Sequence, residues 1–237
     1  MDVKVNLNTK NWKSWAYITS MIGCVLFIFF TLLGMLFYSG GTYNNALIEG
    51  YSFFMNFFSD IGRTISHSGD SNLISFIFFS LAFFLVGTML IPMFLAFPYF
   101  FSKKTNNWRI SISGSCLGLF TAFCFIGITF APSDIYVDAH SFFVYGGFIS
   151  GFFVSLLYSI VIFRENLYAK HYGFNFLFFT VILALYIALL FTGPSSETLS
   201  GLVIQATGQK IVLYAFAVCL FIHGYGAYNQ EKARKKE

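Results

Sequence analysis

Long apolar runs separated by short polar stretches dominate the pattern along the chain. Each run is about 20 residues long, and a helix of that length, at ~1.5 Å per residue, crosses a hydrocarbon layer of ~30 Å. The pattern predicts six transmembrane helices, at residues 15–38, 73–97, 110–131, 141–163, 174–192 and 211–228. We therefore expect an all-α polytopic membrane protein whose residues 1–237 form a single six-helix domain.

Composition supports the same fold class. Apolar residues make up 57% of the chain and phenylalanine alone supplies 34 of its 237 residues, which is far from the usage of a soluble domain. The connections are too short to form a second soluble domain. The first apolar run is too long for a cleavable signal peptide and no small-residue cleavage site follows it, so we expect it to be a helix of the bundle.

The basic residues predict the orientation in the membrane. Of the 14 Lys and Arg residues, all except Arg63 and Lys210 fall on one side of the predicted helices. These are Lys4, Lys10, Lys13, Lys103, Lys104, Arg109, Arg164, Lys170, Lys232, Arg234, Lys235 and Lys236. Because cytoplasmic segments carry the excess of basic residues, both termini are expected in the cytoplasm. The net charge of +4 is then explained by topology, and we expect no nucleic-acid partner.

The first outer connection, residues 39–72, is the longest. Within it Tyr51, Phe54, Phe57 and Phe58 recur at nearly helical spacing. This spacing predicts a short helix lying in the outer membrane interface.

Small residues predict how two of the helices pack. Gly114 and Gly118 are four positions apart in the third span, and Gly147 and Gly151 are four apart in the fourth. Such faces allow close approach of helix backbones in a membrane. We expect the third and fourth helices to form a tight pair.

Charged side chains are absent from the middle of every predicted span, which disfavours the common ion pumps and antiporters. The intramembrane histidine, His223, lies near the inner end of the sixth span. We expect it to be an interfacial residue or a hydrogen-bonded packing element.

Polar residues collect instead at the outer boundary, and all three outer connections contribute to them. This outer-face polar cluster consists of Asp60, Arg63, His67, Asp134, Asp138, His140, Gln209 and Lys210. Lys210 sits at the hydrocarbon edge and needs a partner, for which Asp60 or Asp138 is suited. The cluster is either a set of loop residues with structural ion pairs or a site for a polar lipid headgroup; the sequence leaves both open.

Hydrolytic chemistry is a further alternative. His67 and His140 with one of the nearby aspartates could form a three-ligand zinc site, but no motif spacing supports it. Ser59 and Ser141 lack the spacing of a catalytic triad. We therefore expect no metal and no cofactor, and the catalytic residues of a hydrolase remain unassigned.

The stretch "FFSDIGRT" resembles the signature of the Frag/DRAM/Sfk family of six-helix membrane proteins. The chain is at least as similar to the family called domain of unknown function 998. The matching positions are Ser59, Asp60 and Gly62, then Pro132, Asp134 and His140, then Gly208, Gln209 and Lys210. The resemblance implies a six-helix fold with its polar signature on the non-cytoplasmic side, and a lipid-related role.

This resemblance suggests that "SDIGRT" is a structured turn. Gly62 would permit a tight or left-handed turn, and Asp60 would cap the turn that follows. Arg63 would reach an acid of the second outer loop or a lipid phosphate.

Taken together, the sequence favours a multi-pass protein of the plasma (cytoplasmic) membrane that binds or remodels a lipid or other amphiphile at the outer-face polar cluster. Membrane lipid is then the expected partner. The alternatives are a non-catalytic structural or assembly subunit, which contacts other membrane proteins or a second copy of itself, and a membrane-embedded hydrolase.

Overall fold

Six long apolar helices form the protein in the computed structural model, which describes residues 11–166 and 168–234. They are α1 (Trp12–Leu36), α2 (Leu73–Ala96), α3 (Asn106–Ile128), α4 (Val137–Arg164), α5 (Lys170–Thr192) and α6 (Leu199–Arg234). Each is long and apolar enough to cross a membrane. The prediction of an integral multi-pass helical protein is therefore confirmed. Of the basic residues used for orientation, Lys4, Lys10, Lys235 and Lys236 lie outside the described residues.

The helices form a closed ring in chain order. Each packs against the next, and α6 returns to pack against α1. Large aromatic side chains fill the interior; the Phe125 ring, for example, lies 5.5 Å from that of Phe83 and 4.9 Å from that of Phe216. Because lipid offers no hydrophobic drive between helices, close packing of such rings is what stabilises the assembly.

Three connections meet at one end of the ring, which we call the loop end: residues 37–72, 129–136 and 193–198. The opposite end carries the connections 97–105 and 165–169. The start of α1 and the end of α6 also lie there, since Trp12 packs on the Tyr99 ring and Arg234 donates to the Tyr99 carbonyl. The first and last helices thus approach each other at the end away from the loops.

The longest connection at the loop end is structured. A short antiparallel hairpin pairs β1 (Gly40–Thr42) with β2 (Asn45–Glu49). A 3₁₀ helix follows at Phe58–Gly62, which we call the loop helix. The interfacial α-helix expected between Tyr51 and Phe58 is absent, because residues 51–57 form turns and extended backbone.

The loop helix is inserted into the loop end of the ring. Phe58 is 1% exposed, and its ring lies 5.9 Å from that of Phe27 and 5.7 Å from that of Tyr214. Gly62 has ordinary negative φ; a Cβ there would lie 2.4 Å from the Phe79 ring. The glycine is therefore required for close packing on α2, and the expected left-handed turn is not the reason for it.

The four glycines predicted to bring helix backbones together lie against side chains of neighbouring helices instead. A Cβ on Gly114 would lie 2.7 Å from the Tyr158 ring of α4, and one on Gly118 would lie 2.4 Å from the Phe94 ring of α2. Gly147 faces Phe125 of α3 at 3.3 Å, whereas Gly151 has only Leu183 of α5 within 4 Å. Three of these glycines lie against aromatic rings and one against an aliphatic group, and the four contacts are to four different helices.

Candidate functional site

The three connections of the loop end are joined by hydrogen bonds. Asp134 of the second connection accepts from the Thr64 backbone N–H at 3.0 Å, the Thr64 hydroxyl at 2.6 Å and the Ile65 N–H at 2.9 Å. The Asn44 side-chain amide of the hairpin donates to the carbonyls of Ser196 and Glu197 in the third connection. The loop end is consequently one continuous layer over the ring.

Asp60 is the centre of a buried polar network. One carboxylate oxygen lies 3.1 Å from Nε2 of His67, and the other accepts from Nδ2 of Asn56 at 3.0 Å and from the Phe57 N–H at 2.8 Å. The bond to Phe57 shows that Asp60 reaches back to the start of the loop helix, not forward to cap the next turn as expected. Burial, followed by the charge of Asp60, raises the pKa of the neighbouring phenol of Tyr38 to about 12.

Lys210 of α6 is joined to this network through the backbone carbonyl of Asn56. It lies inside α6 and is 1% exposed. Its ammonium donates to the backbone carbonyls of Asn56 and Ala206, and it lies 5.4 Å from the Tyr51 ring centroid and 5.3 Å from that of Phe53. Carbonyl oxygens and ring faces both stabilise a buried cation.

The expected ion pair between Lys210 and Asp60 or Asp138 is not made. Asn56 stands between Lys210 and Asp60, since its carbonyl accepts from the ammonium while its side chain donates to the carboxylate. Asp138 is exposed in the first turn of α4 and makes no hydrogen bond or ion pair with any described residue. Among described residues, Asp60 and His67 form the single acid–base contact within 4.0 Å.

The predicted start of the last span at residue 211 places Gln209 and Lys210 in the third outer connection or at its edge. The structure begins α6 at Leu199, so both residues are helical. Gln209 is buried and its Oε1 accepts from the Phe58 N–H at 2.7 Å. Polar residues on the interior face of a helix lower the local hydropathy, which is why the pattern assigns them to a loop.

Arg63 also differs from expectation. Its Nε donates to the carbonyl of Ile65 at 3.0 Å, and among described residues it forms no ion pair with an acid of the second connection. Asp134, an acid of the second connection, accepts hydrogen bonds from Thr64 and Ile65 instead. Burial raises the pKa of Asp134, but the hydrogen bonds from these two residues outweigh that effect and leave the pKa below its usual range.

His140 is separated from the Asp60 network and borders a cavity. The cavity is small, with a volume of about 20 Å³, and lies between the loop helix, α2, α3, α4 and α6. Its walls are mostly rings and aliphatic side chains, among them Phe79, Phe83, Phe148 and Leu213. Three polar residues also line it: Ser59, His140 and Gln209.

The hydrogen bonds that these polar residues already make determine which of their donor and acceptor atoms remain available. Nδ1 of His140 lies 2.8 Å from the Ala131 carbonyl, which can only accept, so Nδ1 carries the proton and Nε2 of the neutral ring is an acceptor. Gln209 likewise turns its oxygen to the Phe58 N–H, which leaves its NH₂ as a donor. Neither Nε2 nor the Ser59 hydroxyl has a partner among the described residues.

Several residues of this region could not be found from the sequence. Asn56 is fully buried and joins Asp60, Gly41 and Lys210, and Asn72 donates to the carbonyl of Arg63 at 2.9 Å. Their amides satisfy backbone groups of an irregular loop, which is a role that any loop asparagine can have. Their only signal was their position beside long apolar runs.

The geometry also bears on the zinc alternative and on the role expected for His223. No group of three His, Cys, Asp or Glu residues suited to a metal ion is present among the described residues. His223 is fully buried between the rings of Phe97, Tyr158 and Phe176, and neither ring nitrogen has a hydrogen-bond partner, so it packs among aromatic rings without the hydrogen bond that was expected.

Comparison with known proteins adds no relative: no family model, curated protein or solved structure matches the chain. The resemblance to domain of unknown function 998 and to the Frag/DRAM/Sfk family therefore stays a prediction.

Proposed function

We propose that this integral membrane protein binds an amphiphile at the loop end, with its polar part near Ser59, His140 and Gln209 and its apolar part against the rings of the cavity that these residues border. The observation that carries the proposal is an apolar cavity bordered by three polar residues, of which the Ser59 hydroxyl and Nε2 of His140 have no partner among the described residues. Ligand sites typically pair apolar walls with a few such polar atoms. The cavity volume of about 20 Å³ is room for about one water molecule, so its walls must move apart to admit an alkyl segment.

The surrounding polar network supports the cavity without lining it. Asp60, His67 and Lys210 are bound to one another or to Asn56, and none of the three faces the cavity. Within the proposal their role is to hold the loop helix, which contributes Phe58 and Ser59 to the cavity wall. The outer-face polar cluster is thus divided into a support and a binding part.

The orientation belongs to the same proposal. We infer that the loop end faces the non-cytoplasmic side, because the basic residues collect at the opposite end. The ligand would then come from the outer leaflet of a membrane that we take to be the plasma membrane.

Filling the cavity tests the proposal. Val144→Trp adds a ring at the cavity wall, whereas Ile211→Trp places the same ring on the lipid-facing side of α6, where Ile211 is 56% exposed. Native mass spectrometry of gently solubilised protein should show a lipid adduct on wild type and on Ile211→Trp and none on Val144→Trp. Melting temperatures of all three proteins check that folding is retained.

An adduct that survives Val144→Trp unchanged would contradict the proposal, because a ligand outside the cavity is not displaced by a ring inside it. If Val144→Trp does not fold, the smaller Val144→Phe provides the same test. Loss of the adduct from both tryptophan variants would likewise count against cavity binding.

A further inference from the structure

A groove on the lipid-facing side of the ring begins at the loop end between α2 and α3, and we call it the α2–α3 groove. Side chains on successive turns of α2 form one wall and the residues directly after α3 form the other; they include Phe76, Ser80, Phe84, Thr129 and Phe130. Its volume of about 440 Å³ falls within the ~300–1,000 Å³ of typical ligand sites. The groove is open along one side, where Phe130 is 70% exposed, and it shares no residue with the small cavity inside the ring. An acyl chain of the bilayer therefore has room to lie in it.

The segment 63–65 crosses the loop end of this groove. On one side, Asn72, one turn before the groove-lining part of α2, donates to the carbonyl of Arg63 at 2.9 Å. On the other side, Asp134 of the connection after α3 accepts from the next two N–H groups of the segment, at 3.0 and 2.9 Å. Both walls are thus joined by the stretch of chain that carries Arg63.

Arg63 supplies a free hydrogen-bonding group at this position. Its Nε donates to the Ile65 carbonyl at 3.0 Å, whereas its two terminal NH₂ groups have no hydrogen-bond partner and no carboxylate within 4.0 Å among the described residues. The side chain is half-exposed. A guanidinium in this state matches the oxygens of a phosphate in both charge and geometry.

A second groove shows that this charge is not a general feature of the lipid-facing surface. The α4–α5 groove, lined among others by Ile149, Phe153, Ala188 and Phe191, has a similar volume of about 400 Å³. The connection at its loop end, residues 193–198, contains no lysine or arginine. The two grooves are therefore alike in size and apolar lining and differ in the charge at the loop end.

The acids of the loop end restrict the headgroup that fits beside Arg63. The exposed or half-exposed carboxylates there are those of Glu49, Asp70, Asp134, Asp138 and Glu197. One of them, Asp134, accepts from the N–H of the same Ile65 whose carbonyl holds Arg63. A headgroup with net negative charge is attracted by the guanidinium but repelled by the carboxylates, whereas a headgroup with a phosphate and an amine complements both signs.

We propose that the α2–α3 groove binds an acyl chain of a phospholipid from the leaflet at the loop end, that the lipid phosphate accepts hydrogen bonds from Arg63, and that a headgroup with an amine is preferred. This goes beyond the amphiphile site proposed above, because the groove lies on the outside of the ring and its ligand is a component of the bilayer. Of the two partners that the sequence suggests for Arg63, an acid and a lipid phosphate, it selects the phosphate.

Labelling in a bilayer tests the proposal, because a lipid in an open groove exchanges with detergent. The protein is reconstituted in vesicles of digalactosyldiacylglycerol, which has no phosphate, with a trace of a probe that carries a photoactivatable diazirine in its acyl chain. Three probes with the same chains are compared: phosphatidylethanolamine, phosphatidylglycerol and diacylglycerol. Mass spectrometry of peptides then quantifies the label in each groove.

Phosphatidylethanolamine is expected to label the α2–α3 groove about fivefold more than diacylglycerol, through the phosphate contact. It should label that groove roughly threefold more than phosphatidylglycerol, because of the surrounding carboxylates. The α4–α5 groove should be labelled equally by all three probes.

Two substitutions examine the parts of the site separately. Arg63→Gln places an amide nitrogen where Nε stands, so the bond to the Ile65 carbonyl is retained while the charge and the terminal NH₂ groups are removed. Labelling by phosphatidylethanolamine should fall about fivefold and labelling by diacylglycerol should stay constant. Ile77→Trp fills the α2–α3 groove and should remove the label of every probe, whereas Ile149→Trp, at a similarly exposed position of the α4–α5 groove, should not.

The results also separate this site from the cavity, since Val144→Trp should leave labelling of the α2–α3 groove unchanged. Equal labelling of this groove by phosphatidylethanolamine and diacylglycerol, or labelling by phosphatidylethanolamine that Arg63→Gln does not reduce, would overturn the site. Labelling by phosphatidylglycerol as strong as that by phosphatidylethanolamine would overturn the preference for an amine. If a variant fails to fold, the comparison of the three probes on wild type still decides both points.

Discussion

At the scale of single residues, the buried lysine shows how a charge is accommodated in this bundle. Lys210 has no carboxylate of the described residues within ion-pair distance, yet its ammonium is surrounded by two carbonyl oxygens and two aromatic rings. Asp60 is bonded to the same asparagine on the other side. The two charges therefore stabilise each other through Asn56 rather than by direct contact.

A double-mutant cycle measures this coupling. Lys210→Met is expected to lower the free energy of unfolding by about 2–4 kcal/mol, because it leaves the buried carbonyls of Asn56 and Ala206 without their donor and leaves His67 as the one basic group near Asp60 among the described residues. Asp60→Asn is expected to cost about 1–3 kcal/mol through weakened hydrogen bonds. The double variant should be more stable than the sum of the two effects predicts, by roughly 1 kcal/mol, when unfolding is followed in detergent.

The control for this cycle pairs Lys210→Met with Asp138→Asn. Asp138 is exposed and has no partner among the described residues, so those two effects should add. Strict additivity for Asp60 and Lys210 as well would show that Asn56 carries no electrostatic coupling between them.

At the scale of elements, the contact between the first and second connections depends on one carboxylate. Asp134 holds the backbone and hydroxyl of Thr64 and the backbone of Ile65, directly after the loop helix. The loop helix is thereby fixed between α2, where Gly62 meets Phe79, and the segment that precedes α4. His140 and Ser59 are positioned by the two sides of this contact.

Acid should loosen this contact before the helices unfold. The folded pKa of Asp134 is below its unfolded value of about 3.9, so its contribution to stability is present above that pH and is lost as the pH falls through the folded pKa. Asp134→Asn should be less stable than wild type by about 1 kcal/mol at pH 7, and the difference should shrink as the pH falls below the unfolded pKa of about 3.9 and through the lower folded pKa. Melting temperatures between about pH 7 and pH 2.5 measure this difference.

Asp138→Asn, which alters an exposed carboxylate on the same side of the bundle, should leave the melting profile unchanged. A difference between Asp134→Asn and wild type that stays constant across this pH range would contradict the expected role of the ionised carboxylate.

At the scale of the whole molecule, the sequence predicts the helices better than it predicts the site. The spans can be predicted because side chains that face lipid and side chains that fill the interior of the helix bundle are both apolar, so hydropathy identifies them directly. The helix α6 begins about three turns before the predicted span at residue 211, because Gln205, Gln209 and Lys210 are polar residues inside a helix. Their partners are groups of residues 51–58 and the end of α5, and a one-dimensional pattern does not show such contacts.

The missing interfacial helix has a similar cause. The aromatic spacing between Tyr51 and Phe58 is real, but the Asn56 side chain accepts from the Ser52 N–H at 2.9 Å and bonds the hairpin at Gly41. These side-chain bonds compete with helical backbone bonds and fix a turn. Aromatic periodicity alone does not reveal that competition.

Orientation is the property of the whole molecule that the fold leaves to be measured. Because six helices alternate in direction, the ends of the ring face opposite sides of the membrane, and the excess of basic residues at the end away from the loops predicts that this end is cytoplasmic. Glu197→Cys in the third outer connection should react with a membrane-impermeant maleimide on intact cells, and Lys103→Cys should react only after the membrane is opened. Both positions are exposed, so protection by protein does not confuse the result, and labelling of the unsubstituted chain is subtracted for Cys116. The reverse labelling result would place the cavity, and the leaflet that supplies its ligand, on the cytoplasmic side. The hydrogen bonds of His140 and Gln209 would be unaffected, because they depend on the fold and not on its direction in the membrane.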